Sequence, residues 1–110
     1  MMHNITLLNE LLETIHARKN DSVDTSYTAK LLSKGLPKIT QKVGEEATEI
    51  VIAALVESKA DCIGEIADFL YHLSVLMAVK DISWNEIATK LHERMNMSGL
   101  EEKSARKFKS

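Results

Sequence analysis

The sequence predicts an all-α fold, a bundle of four to five helices, on three observations. Its 110 residues include only four glycines and one proline, too few breaks for a turn-rich β fold, which needs one every ten residues or so. Aromatic residues make up 5% of the chain, a poor supply for a strand-built core. Apolar residues recur at spacings of three and four along several segments, the signature of one face of a helix. The length suffices for a single core and not for two. With 45% hydrophobic and 27% charged residues, collagen-like, linker-like and wholly disordered chains are excluded.

Taken in order, Leu7, Leu8, Leu11, Leu12 and Ile15 share one face opposite Glu10, Glu13 and Arg18, so residues 4–19 are expected as an amphipathic helix that Asn20-Asp21 stops. Ser26 can cap a short second helix from Tyr27 to Lys34, and Gly35 falls where a left-handed C-terminal residue is wanted. Pro37 suits the first turn of a third helix, where its missing N–H is not needed. That helix should reach about Ser58. A fourth helix from about Ala60 to Val79 carries Ile63, Ile66, Leu70, Leu73 and Met77 at helical spacing, and Lys80-Asp81 breaks it. Ser83 and Glu86 form a Ser-x-x-Glu capping box for a fifth helix from Trp84 to about Met95. The domain is therefore expected over residues 1–97, with a charged tail over 98–110 in which Gly99 marks the break.

Neither uncharged run, Ile50 to Val56 or Phe69 to Val79, approaches the roughly 18–20 apolar residues of a membrane span, so no membrane partner is expected. The N-terminus lacks the pattern of a secretory signal. One cysteine, Cys62, allows no internal disulfide and no clustered zinc ligands, so a cytoplasmic, reducing compartment is expected. Cys62 itself is expected to be a small buried residue, and Met77 and Trp84 to serve packing. Charge is unevenly spread: Glu45 to His72 holds seven acids and one base, while the remainder holds nine acids and 13 bases. An acidic middle is ill suited to gripping a nucleic-acid backbone and well suited to a cation with a phosphorylated ligand around it.

The acids follow a pattern. Glu45-Glu46-x-x-Glu49 lies on the third helix and Glu65-x-x-Asp68 on the fourth. At about 100° per residue, Glu45, Glu46 and Glu49 fall in one arc together with Lys38 and Lys42, while Asp61, Glu65, Asp68 and His72 form a narrower stripe. Like charges three and four residues apart each cost a helix about 0.2–0.5 kcal/mol, so something should compensate. The run Ile-Val-Ile-Ala-Ala-Leu-Val after Glu49 is apolar on every side, which predicts burial nearly all round. A very short link makes the third and fourth helices an antiparallel hairpin whose acidic faces can oppose each other. Carboxylates meeting there repel unless protonated or bridged by a cation. All-oxygen ligation selects a hard divalent ion, magnesium, with manganese as a substitute. A di-iron bundle would need two Glu-x-x-His pairs, and only Glu13-x-x-His16 fits.

These residues resemble the all-α nucleoside triphosphate pyrophosphohydrolases, with their Glu-Glu-x-x-Glu, spacer, Glu-x-x-Asp pattern. Within that family, Asp24-Thr-Ser-Tyr-Thr-Ala-Lys-Leu31, Gln41-Lys-Val-Gly-Glu-Glu46, Asp68-Phe-Leu-Tyr-His-Leu73 and Ser98-Gly-Leu-Glu-Glu-Lys-Ser-Ala-Arg106 are similar to the phosphoribosyl-ATP pyrophosphatase branch. The resemblance implies the second step of histidine biosynthesis, magnesium-dependent hydrolysis of phosphoribosyl-ATP to phosphoribosyl-AMP and pyrophosphate, in a cytoplasmic enzyme. It also implies a homodimer, so that the bundle would be completed by dimerisation. Many relatives are fused to a zinc-dependent cyclohydrolase; this length and one cysteine point to the stand-alone form.

By motif position the resemblance makes Glu46, Glu49, Glu65 and Asp68 metal ligands, and Glu45 either a further ligand or the base that orients the attacking water. Lys38 and Lys42 would contact phosphate oxygens or simply pair with nearby glutamates. Ser26, Tyr27, Thr28 and Lys30 open a helix, where anions are favoured, although a plain capped start would need no ligand. Lys103 and Arg106 would fold over the substrate or remain solvated, as would Lys107 and Lys109. His72 would stand behind the metal ligands or be a hydrogen-bonded core histidine. Two alternatives carry different expectations: a house-cleaning pyrophosphohydrolase acting on dUTP or dCTP at the same metal site, and a non-enzymatic helical assembly module.

Overall fold

The structure is a computed structural model and describes residues 6–96. Among these residues it is all-α: α1 (Leu7–Ala17) running into a 3-10 turn (Arg18–Asn20), α2 (Tyr27–Ser33), α3 (Leu36–Val56), α4 (Lys59–Lys80) and α5 (Trp84–Met95). The expected tail, with Lys103, Arg106, Lys107 and Lys109, lies outside the described residues, as does the boundary at residue 97.

Local chemistry sets the boundaries. Ser26, extended at φ −128°, accepts the Ala29 N–H at 3.1 Å and starts α2. Gly35 has the positive φ anticipated for it, but with ψ 172°. It is not the left-handed end of α2; it is the residue before α3, in a region that essentially only glycine occupies. There its carbonyl accepts the Ile39 N–H, and Pro37 sits in the first turn. The α3–α4 link is Glu57-Ser58, because Ser58 does not end α3. It caps α4 through a reciprocal box with Asp61, whose carboxylate accepts the Ser58 hydroxyl at 2.9 Å. α4 ends where Asp81 turns left-handed at φ 56°, ψ 45°. The Ile82 N–H then reaches the Met77 carbonyl and the Asp81 N–H the Ala78 carbonyl, the paired bonds of a Schellman end. The Ser83–Glu86 box starts α5 as anticipated.

α3 and α4 form the most extensive helix pair, and α1 packs across α4. The core lies at one end of this hairpin. Leu12, Ile15, Leu31, Ile39, Val75, Met77 and Ala78 are buried together, with Tyr71, Leu73, Ile82, Trp84 and Ile87 packed around them. α3 contributes only its N-terminal half and α4 only its C-terminal half to this cluster.

The turn end of the hairpin corrects one expectation. Within Ile50–Val56 only Ala53 is buried; Val51, Ile52, Leu55 and Val56 are 57%, 42%, 78% and 77% exposed, and Ile63 and Ile66 on α4 are also exposed. At this end a single copy covers α3 only where α4 touches it, so a segment apolar on every side keeps most of its surface bare. Cys62 is half-buried rather than buried, since it lies on this same uncovered stretch. α4 is also long and apolar enough by composition to cross a membrane, which the uncharged runs alone did not anticipate. Its C-terminal apolar face is spent on the core instead, and its N-terminal half carries Asp61, Glu65 and Asp68.

Candidate active site

Midway along the hairpin, where the core gives way to the uncovered end, three carboxylates converge. One oxygen each from Glu46 on α3 and Glu65 and Asp68 on α4 lie within 4.8 Å of one another. Glu46 and Glu65 are half-buried and Asp68 is exposed. The three sit opposite each other because α3 and α4 are straight neighbours joined by two residues, which places positions similarly distant from the turn at one level.

The electrostatics of this cluster are unfavourable as they stand. Partial burial pushes the Glu65 carboxyl above its ordinary value, and the charges of Glu49, Asp68, Glu46 and Glu57 push it further. Glu49 thus stands near enough to be felt by Glu65, although its own carboxylate is exposed and outside the converging three. Three to four all-oxygen donors with excess negative charge are the donor set of a hard divalent cation. No nitrogen or sulfur ligand joins them among the described residues.

Glu45 points elsewhere. Its Oε1 accepts the Gln41 side-chain N–H at 2.8 Å, and its Oε2 pairs with the Lys42 ammonium at 3.4 Å. Those two contacts, Gln41 first, hold its carboxyl below the usual range. Lys42 is correspondingly raised, chiefly by its bond to Glu45. Glu45, Lys38 and Lys42 line a concavity of about 300 Å³ whose other wall is α2, through Tyr27, Lys30, Leu31 and Lys34. Four lysines at positions 30, 34, 38 and 42 therefore surround one space next to the carboxylates. Such a space suits several phosphate oxygens at once, held by mobile point charges.

Of the residues expected along the start of α2, Tyr27 and Lys30 reach this concavity. Ser26 and Thr28 are 6% and 7% exposed and are committed inside the protein, Ser26 to the cap and Thr28 to a hydrogen bond with the Tyr71 hydroxyl. Lys34 belongs to the concavity and was read from the sequence only as the end of a helix. The signal was the four-residue repeat of lysines, which continues across Gly35 into the same concavity. Tyr71 was also missed: it is one step from the acidic stripe, and its partner lies 43 residues away.

Comparison with known proteins comes to the same place. Residues 8–95 match the family model described as phosphoribosyl-ATP pyrophosphohydrolase. The chain is 49% identical over 102 residues to a phosphoribosyl-ATP pyrophosphatase of Ruegeria sp. (strain TM1040), covering 93% of this chain and 97% of that one. It is 49% identical over 107 residues to that of Trichlorobacter lovleyi, with coverage of 97% and 99%. The protein of the same description from Rhodobacter capsulatus is 44% identical over 102 residues, covering 93% and 99%. Similarity that runs through both helices of the acidic hairpin and through all of α2 establishes descent: the chain belongs to the phosphoribosyl-ATP pyrophosphohydrolase family.

Proposed function

We propose that the protein hydrolyses phosphoribosyl-ATP to phosphoribosyl-AMP and pyrophosphate, with magnesium bound at Glu46, Glu65, Asp68 and Glu49, in the histidine pathway and in the cytoplasm. The observation that carries this reading is the adjacency of two opposite fields: a carboxylate triad within 4.8 Å and a space lined by Lys30, Lys34, Lys38 and Lys42. Family membership supplies the substrate, because the relatives bear that name.

The donor set fits the ion by its own chemistry: oxygen ligands only, and a Glu65 carboxyl whose affinity for a proton is raised by burial and then by the charges of its neighbouring carboxylates. A magnesium ion there supplies charge neutralisation at phosphate oxygens and at the leaving pyrophosphate; manganese would substitute. The chain's own residues do the rest. The lysines hold the outer phosphates by charge alone and let them turn into line. Glu45, kept ionised by Gln41 and Lys42, stands at the border of the two fields, where a carboxylate can orient a water molecule for attack. Lys103 and Arg106, outside the described residues, would add cations on the open side.

The bare end of the hairpin belongs to the same proposal. Leu55, Val56, Val51 and Ile63 form an exposed apolar surface of the kind that marks an interface. The described chain has a radius of gyration of 16.4 Å, against about 13 Å for a compact domain of 100 residues. A second copy packing its own hairpin on this surface would complete a four-helix core and shield the carboxylates from solvent.

The deciding experiment is pyrophosphate release from phosphoribosyl-ATP, with magnesium and with EDTA, beside dUTP and dCTP as competitors. Turnover of phosphoribosyl-ATP alone, abolished by EDTA, supports the assignment. Turnover of the deoxynucleotides with phosphoribosyl-ATP left intact would replace it with the house-cleaning activity, and folded protein without turnover of any of them would leave the assembly module.

A further inference from the structure

His72 is one of four buried polar residues among those described, 7% exposed, and both of its ring nitrogens are engaged. Nδ1 lies 2.8 Å from the carbonyl oxygen of Asp68, one turn earlier on α4. A carbonyl can only accept, so the hydrogen of that bond belongs to Nδ1. In the neutral imidazole Nε2 is then an acceptor, and it stands 3.2 Å from the Tyr27 hydroxyl. Tyr27 has one hydroxyl hydrogen, and this contact takes it. What Tyr27 presents to the lysine-lined space is therefore a pair of oxygen lone pairs.

From this we infer that His72 is a positioning residue for ligand recognition: it fixes the Tyr27 hydroxyl as an acceptor, so that Tyr27 takes a hydrogen-bond donor of the substrate, a sugar hydroxyl, and not a phosphate oxygen. A fully ionised phosphate oxygen brings no hydrogen and would face lone pair against lone pair. The lysines around Tyr27 serve the phosphates, and Tyr27, itself 55% exposed, marks the edge of the space where the sugar begins. The tyrosine has little freedom to swing away. Its ring meets that of His72 edge-on, with centroids 6.1 Å apart, and lies 6.2 Å from Tyr71. Tyr71 in turn is tied to Thr28, the next residue of α2. Two hydrogen bonds from adjacent residues of α4 thus clasp adjacent residues of α2. The clasp joins the helix that bears Asp68 to the helix that bears Lys30 and Lys34.

This inference rests on the proposed hydrolysis only for the identity of the sugar-bearing ligand, and its test separates the two. Long-range 1H–15N correlation of the imidazole in 15N-labelled full-length protein at pH 7.5, assigned by the signal lost in His72→Gln, should show hydrogen on Nδ1 and a bare Nε2. Hydrogen on Nε2 would overturn the inference without reference to turnover. In kinetics, Tyr27→Phe should raise KM for phosphoribosyl-ATP about tenfold, the worth of one hydrogen bond, while kcat changes far less. His72→Leu should do the same with no further rise in the double variant. His72→Gln, whose amide oxygen can again accept from Tyr27, should recover most of the loss; a purely structural role for the ring predicts no such rescue. Calorimetry with inorganic pyrophosphate and magnesium completes the test: Tyr27→Phe should bind it within twofold of the parent, and a tenfold loss would assign Tyr27 to phosphate instead. Should the parent not hydrolyse phosphoribosyl-ATP, the hydrolysis proposal fails, and the tautomer and the pyrophosphate arm still decide the role of His72.

Discussion

Glu46 and Glu65 face each other across the α3–α4 hairpin, each offering an oxygen to a group that also includes Asp68 and spans no more than 4.8 Å. Neither takes part in the ion pairs Lys42–Glu45 and Lys90–Glu93. The same repulsion that weakens the hairpin is what a bound cation would relieve.

Removing one of these charges should therefore have opposite effects on activity and on the metal-free fold. Glu46→Gln and Asp68→Asn are expected to lower magnesium-dependent pyrophosphate release about 10²-fold or more. In EDTA each should melt at or above the temperature of the parent at pH 7, because a like charge has been removed. A pyrophosphate-release assay checks the first half and thermal melts the second, and magnesium should raise the melting temperature of the parent only.

The pH dependence follows from two shifts of opposite sign. Burial and then Glu49, Asp68, Glu46 and Glu57 raise Glu65 in the folded state. Its contribution to stability is thus fully present below the unfolded carboxyl value and is lost as pH rises through the folded one. Glu45, lowered by Gln41 and then Lys42, contributes above its unfolded value and loses that contribution as pH falls through its folded one. Glu65→Gln isolates the first: in EDTA its stability advantage over the parent should appear as pH rises out of the carboxyl range and vanish below it. Urea titrations at pH 4 and pH 7 measure this difference.

The uncovered end of the hairpin predicts an association constant that a single charge can destroy. Leu55 is 78% exposed, so Leu55→Asp costs a lone chain little, yet it buries a carboxylate if a second copy covers it. Sedimentation should show a dimer for the parent and a monomer for the variant, which should keep its helical circular dichroism.

Two backbone positions should respond in opposite directions. At Gly35 an added Cβ would meet only Pro37 Cδ at 3.9 Å, an ordinary contact, so the penalty of Gly35→Ala comes from φ +84° with ψ 172°, about 1–3 kcal/mol. Asp81 holds a left-handed conformation with a side chain, and Asp81→Gly should gain up to about 1 kcal/mol. Urea denaturation with EDTA present reads both.

What the amino-acid sequence determined by itself was the set of elements and the chemistry they carry. Helix ends are decided by groups three or four residues apart: Ser83 with Glu86, Ser26 with the Ala29 N–H, Pro37 in the first turn of α3. Such contacts depend on no distant part of the chain, and so they can be read along it. The acidic motif was legible for the same reason, since helical spacing fixes which glutamates share an arc. The tertiary structure decided what those arcs meet. Glu46 closes on Glu65 and Asp68 while Glu45 turns to Lys42 and the lysines, a choice made by the rotation of α3 about its own axis, which the packing of Ile39 against the core sets. Tyr27 finds His72 across 45 residues, and the apolar run after Glu49 stays open because its length outreaches the core of one copy. Burial depends on what lies alongside a helix, and a periodic pattern records only that some apolar neighbour is wanted.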